Sequence, residues 1–277
     1  MGAVKLTDLH PHRVQTFING LEGLAVGTVR LVYKVLHAAL EKAVQLDYIP
    51  KNPADKCVLP KFEQRAIKPL EDAQTAALLA AARGTDIENM LRVALFAGLR
   101  VSEILGLSWE QVNMEKGTIT VDKQLSSNTT RKKGFLFTSP KNGKERTMKT
   151  APTVIAALKD QHRRQAEMRL RAGKIWDYPH NLVFTLEDGR FIDQQQIRRA
   201  FRAALTTAGL EGFRFHDLRH TYAVNAIRAG DDIKTIQGNL GHATAAFTLD
   251  RYGHFTEQMM QDSATRMEAF IKHTLNL

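Results

Sequence analysis

The sequence predicts a mainly α-helical protein with a small antiparallel β-sheet, divided into two domains. The chain has 277 residues, a length that suits about two domains at roughly 150 residues each. Apolar residues recur at three- and four-residue steps over most of the chain, and three short runs of β-branched and aromatic residues stand between turn signals near its middle. Hydrophobic residues make up 43% and charged residues 25%, which excludes the disordered and fibrous classes.

The first domain is predicted to be helical and to span residues 1–62. Its apolar period is clearest over 29–44, where the pattern gives one buried face. Two prolines within 48–54 end that helix, because proline lacks the amide hydrogen and restricts the residue before it. The basic, proline-bounded stretch that follows predicts an interdomain linker over 63–69.

The second domain is predicted to span residues 70–277 and to hold the sheet. Strands are expected over 118–122, 135–138 and 146–149, and a short hairpin around 187–190. Helices are predicted over 71–82, 87–108, 151–173, 194–209, 216–230, 232–240 and 256–272. The last of these carries an apolar stripe rich in methionine, which packs either on its own domain or on a neighbouring protomer.

Composition also limits the cellular setting. No stretch approaches 18 consecutive apolar residues, and residues 1–13 lack the apolar core of a signal peptide. A cytoplasmic protein without membrane contact is therefore expected. Cys57 is the only cysteine, so neither an intrachain disulfide nor a cysteine zinc site is available.

The charge balance favours a partner rich in phosphate. Lysine and arginine total 39 against 29 aspartate and glutamate, a formal net charge of +10, and the sequence pI is near 9.7. This is the electrostatic footprint of a nucleic-acid-binding protein. Because many basic proteins bind nothing specific, the motifs have to decide.

One segment near the C-terminal end places His216 and Arg219 three residues apart, on the same face of a predicted helix. A guanidinium presents a planar fork of donors that suits two phosphate oxygens. His216 and His220 also have the spacing of a zinc pair, but the glutamate of HExxH is absent and Arg219 stands between them. A metal site is therefore disfavoured, and packing or capping histidines remain the alternative.

Two further motifs give the segment a specific context. Residues 97–107 contain GlyLeuArg followed by Glu103, and LeuGlyHis at 240–242 precedes Tyr252 by ten residues. With the His216 and Arg219 motif, this order resembles the tyrosine recombinases, or phage-type integrases. The resemblance extends over nearly the whole chain.

The resemblance implies a set of catalytic residues and no cofactor or metal. Tyr252 would be the nucleophile, and the hairpin at 139–146 would carry the catalytic lysine, for which Lys141 fits better than its rival Lys144. The implied set is Arg100, Lys141, His216, Arg219, His242 and Tyr252. Glu103 would help to position the site.

The chemistry of these side chains fits that assignment. Attack of a tyrosine oxygen on a phosphodiester builds negative charge on the non-bridging oxygens, which Arg100, Arg219 and His242 could hold. Because a free tyrosine has a pKa near 10, the hydroxyl needs a proton acceptor, for which His216 is the candidate. A lysine, Lys141, would protonate the leaving 5′-oxygen.

The resemblance further implies a site-specific recombinase that integrates and excises a mobile element through a 3′-phosphotyrosine and a Holliday junction. The two domains would form a clamp on double-stranded DNA, and a tetramer would hold two duplexes, with an accessory factor setting direction. The setting would be the nucleoid of a bacterium or of a phage-infected host. The alternatives are DNA relaxation of the type IB topoisomerase kind and a catalytically silent DNA-binding protein.

Many integrases of mobile elements carry an additional N-terminal domain that binds arm-type DNA sites. No room exists for it before Thr7. Either this member lacks the domain or the sequence begins after it, and we favour the second explanation.

Overall fold

The computed structural model describes residues 4–61, 67–126, 129, 134–140, 143–242, 244–252 and 257–275. The chain divides into two compact units, Met1–Ala66 and Ile67–Leu277. Across the described residues no helix is long and apolar enough to cross a membrane.

The first unit is built on two helices, α1 (Pro11–Asn19) and α2 (Val26–Gln45). Pro11 occupies the first helical position, where its missing amide hydrogen is not needed. Helix α2 ends before the two prolines, as the sequence predicts. The buried core of the first unit combines residues of the two helices with two residues of the proline segment, residues 48–54. Its members are Val14, Leu40, Ala43, Ile49 and Ala54. The proline segment therefore packs back onto the helices.

The second unit is mainly helical. Its helices are α3 (Asp72–Ala81), α4 (Glu88–Ala97), α5 (Val101–Gly106), α6 (Pro152–Ala172), α7 (Gln194–Thr207), α8 (Phe215–Arg228), α9 (Ile233–Leu240), α10 (Ala245–Tyr252) and α11 (Glu257–Leu275). Helix α4 is buried on nearly all sides and packs against α6 and α8.

Two antiparallel sheets accompany the helices. Strands β1 (Val112–Asn113), β2 (Thr118–Val121) and β5 (Arg146–Lys149) form one sheet in the order β1-β2-β5. Strands β3 (Gln124–Leu125) and β4 (Phe137–Thr138) form the other, and a single bridge between Thr185 and Phe191 closes the predicted hairpin. The predicted mainly α fold with a small antiparallel sheet is confirmed. The two-residue strands β1 and β3 are too short to show a pattern of alternation.

The prediction of one helix over 87–108 is wrong. Helix α4 ends at Ala97, and Gly98 adopts a left-handed backbone with φ +66°. A Cβ at Gly98 would lie 2.3 Å from the ring of Tyr222. This position therefore needs glycine for both its backbone and its close approach, and the break makes Arg100 the residue that precedes α5.

Helix α10 is a helix that the sequence analysis missed. It has eight residues and ends at Tyr252. Predicted helix ends lie within two residues of the observed ones for α6 to α9 and within three for α11, which continues to Leu275. Leu70, assigned to the start of the second domain, is buried, and its amide donates to Thr221 Oγ1 at 2.9 Å.

Candidate active site

The predicted site residues that the structure describes come from four separate segments of the second unit. Arg100 precedes α5, Arg219 lies on α8, His242 follows α9 and Tyr252 ends α10. Arg219 reaches the other segments through backbone acceptors: its Nη1 donates to the carbonyl of Gly98 at 2.7 Å, and its Nη2 donates to the carbonyl of Leu240. The guanidinium therefore ties the break after α4 to the end of α9.

Glu103 lies beneath the arginines with a fully buried side chain. Its Oε1 accepts from Arg100 Nη1 at 2.7 Å, and its Oε2 accepts from Arg146 Nη2 at 2.7 Å and lies 3.9 Å from Arg219 Nη1. Burial alone would raise the pKa of Glu103, but the hydrogen bond and charge of Arg146, with the charges of Arg100 and Arg219, lower it to about 2. Glu103 is therefore an anion that holds three guanidiniums in place.

Arg219 is 2% exposed. Desolvation and the charge of Arg100 lower the pKa of Arg219 to about 9, against the opposing effect of Glu103. It stays protonated at neutral pH, so its positive charge is kept inside the protein, where it acts with little screening.

A cleft of about 470 Å³ opens above these residues. Arg100, Arg146, Gly241 and His242 line it, together with Lys144 from the segment before β5. These side chains bring several cationic or hydrogen-bonding groups to one concave surface. The cleft can receive an anionic group such as a phosphate.

Two histidines of the site are held neutral. Desolvation, Arg219 and Arg100 lower the pKa of His242 to about 3, and the same causes lower that of His216 to about 4, although the residue His216 is exposed. His242 Nδ1 lies 2.9 Å from Thr248 Oγ1, a contact that fixes the ring. At neutral pH His242 can donate a hydrogen bond from a neutral ring, and His216 is a weak base.

Tyr252 is enclosed, with 1% of its surface exposed. Its hydroxyl oxygen lies 2.6 Å from Nδ1 of His220, and its ring is nearly parallel to that of His242 with centroids 6.4 Å apart. His220 in turn contacts His216 edge to face, with centroids 4.9 Å apart. The structure thus places His220, one helical turn beyond His216 on α8, in contact with the Tyr252 hydroxyl. The assignment of His216 as the proton acceptor stays a prediction.

The structure therefore gathers Arg100, Arg219, His242 and Tyr252, whereas Lys141 and His254 lie outside the described residues. His216 lies beside the site. Sequence reasoning missed the roles of Arg146 and His220. In the sequence, Arg146 served only to favour Lys141 in the hairpin, and His220 only as half of a disfavoured zinc pair. Their contacts with Glu103 and Tyr252 could not be predicted without the fold.

A group of side chains elsewhere could hold a metal ion. His37, Glu41 and Asp55 offer ligand atoms within 4.8 Å of one another, and no other group of three or more such residues occurs in the described part of the chain. His37 Nε2 lies 2.9 Å from Asp55 Oδ1, and Glu41 accepts from Asn52 at 3.0 Å. These groups already satisfy one another within the first unit.

Comparison with known proteins gives this arrangement a context. The model of the phage integrase family matches residues 68–259, about two thirds of the chain. The tyrosine recombinase XerC-like protein of Caldanaerobacter subterraneus subsp. tengcongensis is 28% identical over 268 residues. That match covers 91% of this chain and 68% of the relative.

Solved structures share the fold at lower identity. The Tn1549 transposon integrase in complex with transposon right end DNA superposes with a TM-score of 0.78 at 23% identity, over 96% of this chain and 88% of that one. A λ integrase tetramer bound to a Holliday junction gives a TM-score of 0.63 at 17% identity, over 86% of this chain and 65% of that one.

Proposed function

This chain belongs to the phage integrase family and is a site-specific recombinase of the tyrosine class, and we propose that Tyr252 is its nucleophile. Tyr252 attacks a DNA phosphodiester, leaving a 3′-phosphotyrosine and a free 5′-hydroxyl, and a second strand's hydroxyl then reverses the step. Two such exchanges integrate or excise a mobile element through a Holliday junction. The convergence of Arg100, Arg219 and His242 around the enclosed Tyr252 carries this proposal.

Arg100, Arg219 and His242 form what we call the phosphate clamp. The attack moves negative charge onto the non-bridging oxygens of the phosphate, and groups already oriented toward that charge stabilise it most. Two guanidiniums supply permanent charge, and a neutral His242 supplies a hydrogen-bond donor. No step of this scheme calls for a metal or a nucleotide cofactor, because the phosphotyrosine conserves the energy of the bond that is broken.

His220 accepts the proton of Tyr252 in this proposal. The two groups are within hydrogen-bond distance at 2.6 Å, which is the first requirement for a general base. His216, the acceptor that the resemblance implied, has a pKa lowered to about 4 and is a weak base at neutral pH. As the Tyr252 oxygen bonds to phosphorus, its proton passes to His220 and the bond to the 5′-oxygen breaks.

A lysine protonates the leaving 5′-oxygen. Lys141 remains the first candidate on its sequence position, and Lys144 is the rival that lines the cleft beside Arg100 and His242. Both precede Arg146, whose strand β5 is anchored at the site. The pair of variants Lys141→Ala and Lys144→Ala distinguishes the two assignments, because only the general acid's loss is compensated by a 5′-thio leaving group, which needs no proton.

Double-stranded DNA is the proposed partner, and the two units are proposed to form a clamp on it. The net charge of +10 favours binding to phosphate, and the similar Tn1549 integrase was solved on transposon end DNA. The first unit would serve as the core-type DNA-binding domain, with Lys34 and Lys42 exposed on α2, and the second unit as the catalytic domain. An accessory factor would set direction, and the nucleoid would be the place of action.

A tetramer on two duplexes is the proposed assembly. The λ integrase tetramer on a Holliday junction supports it, and so does α11, where Met267 and Phe270 are 58% and 63% exposed. Exposed apolar side chains on a terminal helix suit docking onto a neighbouring protomer. In light scattering of the protein with DNA, the change Phe270→Glu, which introduces a negative charge into this apolar surface, is expected to lower the mass of the complex.

Covalent capture of DNA tests the function. The protein is incubated with a nicked duplex that carries a candidate recombination site, and denaturing gels detect the protein–DNA adduct. The parent and the matched control Tyr222→Phe are expected to form the adduct, and Tyr252→Phe is expected to bind the duplex without forming it. DNA binding by the parent with no adduct would favour the silent DNA-binding protein. Plasmid relaxation without strand exchange would favour the topoisomerase.

The role of His220 is tested with two substitutions in the same assay. Leucine removes the contact with Tyr252, whereas asparagine places an amide near the position of Nδ1 and keeps a hydrogen bond without a basic nitrogen. Loss of a general base lowers a rate by about 100-fold or more, so both variants are expected to form adduct slowly at neutral pH. Raising the pH is expected to rescue His220→Asn, because hydroxide then removes the proton. Equal rates in His220→Leu and the parent would contradict the assignment.

A further inference from the structure

Arg146 lines the cleft, and the proposed mechanism gives it no task. Its side chain is 10% exposed and donates two hydrogen bonds to Glu103. Nη1 lies 3.1 Å from Oε1, and Nη2 lies 2.7 Å from Oε2. Its Nε donates to the carbonyl of Asn239 at 2.9 Å. One guanidinium thus joins strand β5 to helix α5 and to the end of α9.

The backbone around the cleft is shaped to admit this guanidinium. Gly241, the middle residue of the LeuGlyHis segment, has φ +60°, and a Cβ there would lie 2.9 Å from Arg146 Nη1 and 3.2 Å from its Cζ. Any other residue would have to displace the arginine or the segment that carries His242. The positions of Arg146 and His242 are therefore coupled through Gly241.

The charge count around Glu103 gives Arg146 a specific effect. Arg100, Arg146 and Arg219 surround one buried carboxylate, so the cluster keeps two net positive charges. The carboxylate accepts two hydrogen bonds from the Arg146 fork, one from Arg100 Nη1 and one from the Arg100 amide. Without Arg146, the full negative charge of Glu103 would act on the two arginines of the phosphate clamp, and one net positive charge would remain.

We propose that Arg146 is a positioning residue of the recombination reaction, which neutralises Glu103 so that Arg100 and Arg219 keep their charge for the phosphate. The inference rests on the proposed function, because it assigns Arg146 a part in that same site. Arg146 exchanges no proton or bond with DNA in this role. It acts on the reaction through Glu103 and through the segment that carries His242.

Charge restoration tests the proposal. The variants are Arg146→Gln, Glu103→Gln, the double variant and Arg146→Lys, and the rate of adduct formation is measured on the nicked duplex at saturating protein. We expect Arg146→Gln to be slower by about 100-fold, with DNA affinity little changed. The double variant has two arginines and no carboxylate, so the clamp regains two positive charges, and its rate is expected to exceed that of Arg146→Gln by about tenfold or more.

A second substrate separates charge from packing. With a neutral methylphosphonate at the scissile position, less negative charge develops, so the defect of Arg146→Gln is expected to shrink by about tenfold. A packing defect would slow both substrates alike. Arg146→Lys keeps the charge but not the fork, and we expect its rate to lie within about tenfold of the parent rate.

The chain offers a matched control. Glu88 is another nearly buried carboxylate held by two arginines, with Arg164 Nη2 at 2.6 Å and Arg92 Nη2 at 2.7 Å. Arg164→Gln is expected to keep the parent cleavage rate, which shows that losing an arginine from a buried pair in this unit does not by itself slow the reaction.

Three results would overturn the proposal while leaving the function intact. They are a parent-like rate for folded Arg146→Gln, a double variant no faster than Arg146→Gln, and an Arg146→Lys variant as slow as Arg146→Gln. If Arg146→Gln does not fold, the proposal is tested with Arg146→Lys on the two substrates. A large defect of Arg146→Lys that is equal on both substrates would then overturn it. Absence of the adduct in the parent, by contrast, would contradict the proposed function itself.

Discussion

Replacing Glu103 with glutamine should change how the stability of the second unit depends on pH. Glu103 is a fully buried carboxylate in contact with three guanidiniums. Glutamine keeps nearly the same shape, but it removes the negative charge that offsets the mutual repulsion of the three guanidiniums. Breaking a buried charge cluster by removing one partner costs about 3–5 kcal/mol.

The size of the effect follows from the pKa of Glu103, which falls from 4.5 to about 2 because the arginine interactions outweigh burial. At about 1.4 kcal/mol for each pKa unit, the shift contributes about 3 kcal/mol to the free energy of unfolding. Since the folded state has the lower pKa, this contribution is complete above the unfolded pKa of 4.5 and is lost as the pH falls toward 2. The stability gap between parent and variant should narrow by about 2 kcal/mol from pH 6 to pH 3.

Urea unfolding followed by tryptophan fluorescence measures this gap. Both tryptophans, Trp109 and Trp176, lie in the second unit, so the signal reports the unit that holds Glu103. Other carboxylates with lowered pKa values are common to the parent and the variant, and their contributions cancel in the difference. The exposed residue Glu115 provides a control, because Glu115→Gln is expected to leave the curve unchanged.

A gap between parent and Glu103→Gln that stays constant from pH 6 to pH 3 would refute the reasoning. It would mean that the carboxylate gains nothing from the three arginines relative to its state in the unfolded chain. A stability gap at pH 6 below about 1 kcal/mol would contradict it equally.

Further predictions concern the helix break and the histidines. Gly98→Ala should destabilise the second unit by about 2–4 kcal/mol in urea unfolding, since it combines a left-handed backbone with a clash against Tyr222. The control Gly84→Ala, at φ +77° with open space around it, should lower the free energy of unfolding by only about 1 kcal/mol. Equal losses of stability in the two variants would contradict the clash at Gly98. With pKa values lowered to about 3 and about 4, His242 and His216 should show constant imidazole NMR shifts from pH 8 to pH 5.5. Their neutral folded forms stabilise the protein above pH 6.5, and this stabilisation is lost as the pH falls below it. Titration of either ring near pH 6.5 would contradict the assigned electrostatics.

The sequence by itself determined the mainly helical architecture and the residues proposed for most of the catalytic set. Apolar periods located most helices of the second unit, though not α10, because a helix that covers a core must repeat at 3.6 residues. The motifs around Arg100, Arg219, His242 and Tyr252 keep a fixed order along the chain, so they were visible without a fold. Gly98 was visible as a residue, but the long apolar run around it concealed the break between α4 and α5.

The tertiary structure decided which of these side chains touch. Arg146 and Glu103 are 43 residues apart in the sequence, and His220 and Tyr252 are 32 residues apart, yet each pair is in direct hydrogen-bond contact. Local pattern carries no information on such pairs, because it reflects the period of one element and not the packing of several. The charge of a buried cluster and the basicity of a histidine depend on every neighbour that excludes water or adds charge. For that reason the contacts of His220 with Tyr252 and of Arg146 with Glu103 appeared only when the fold placed the segments together.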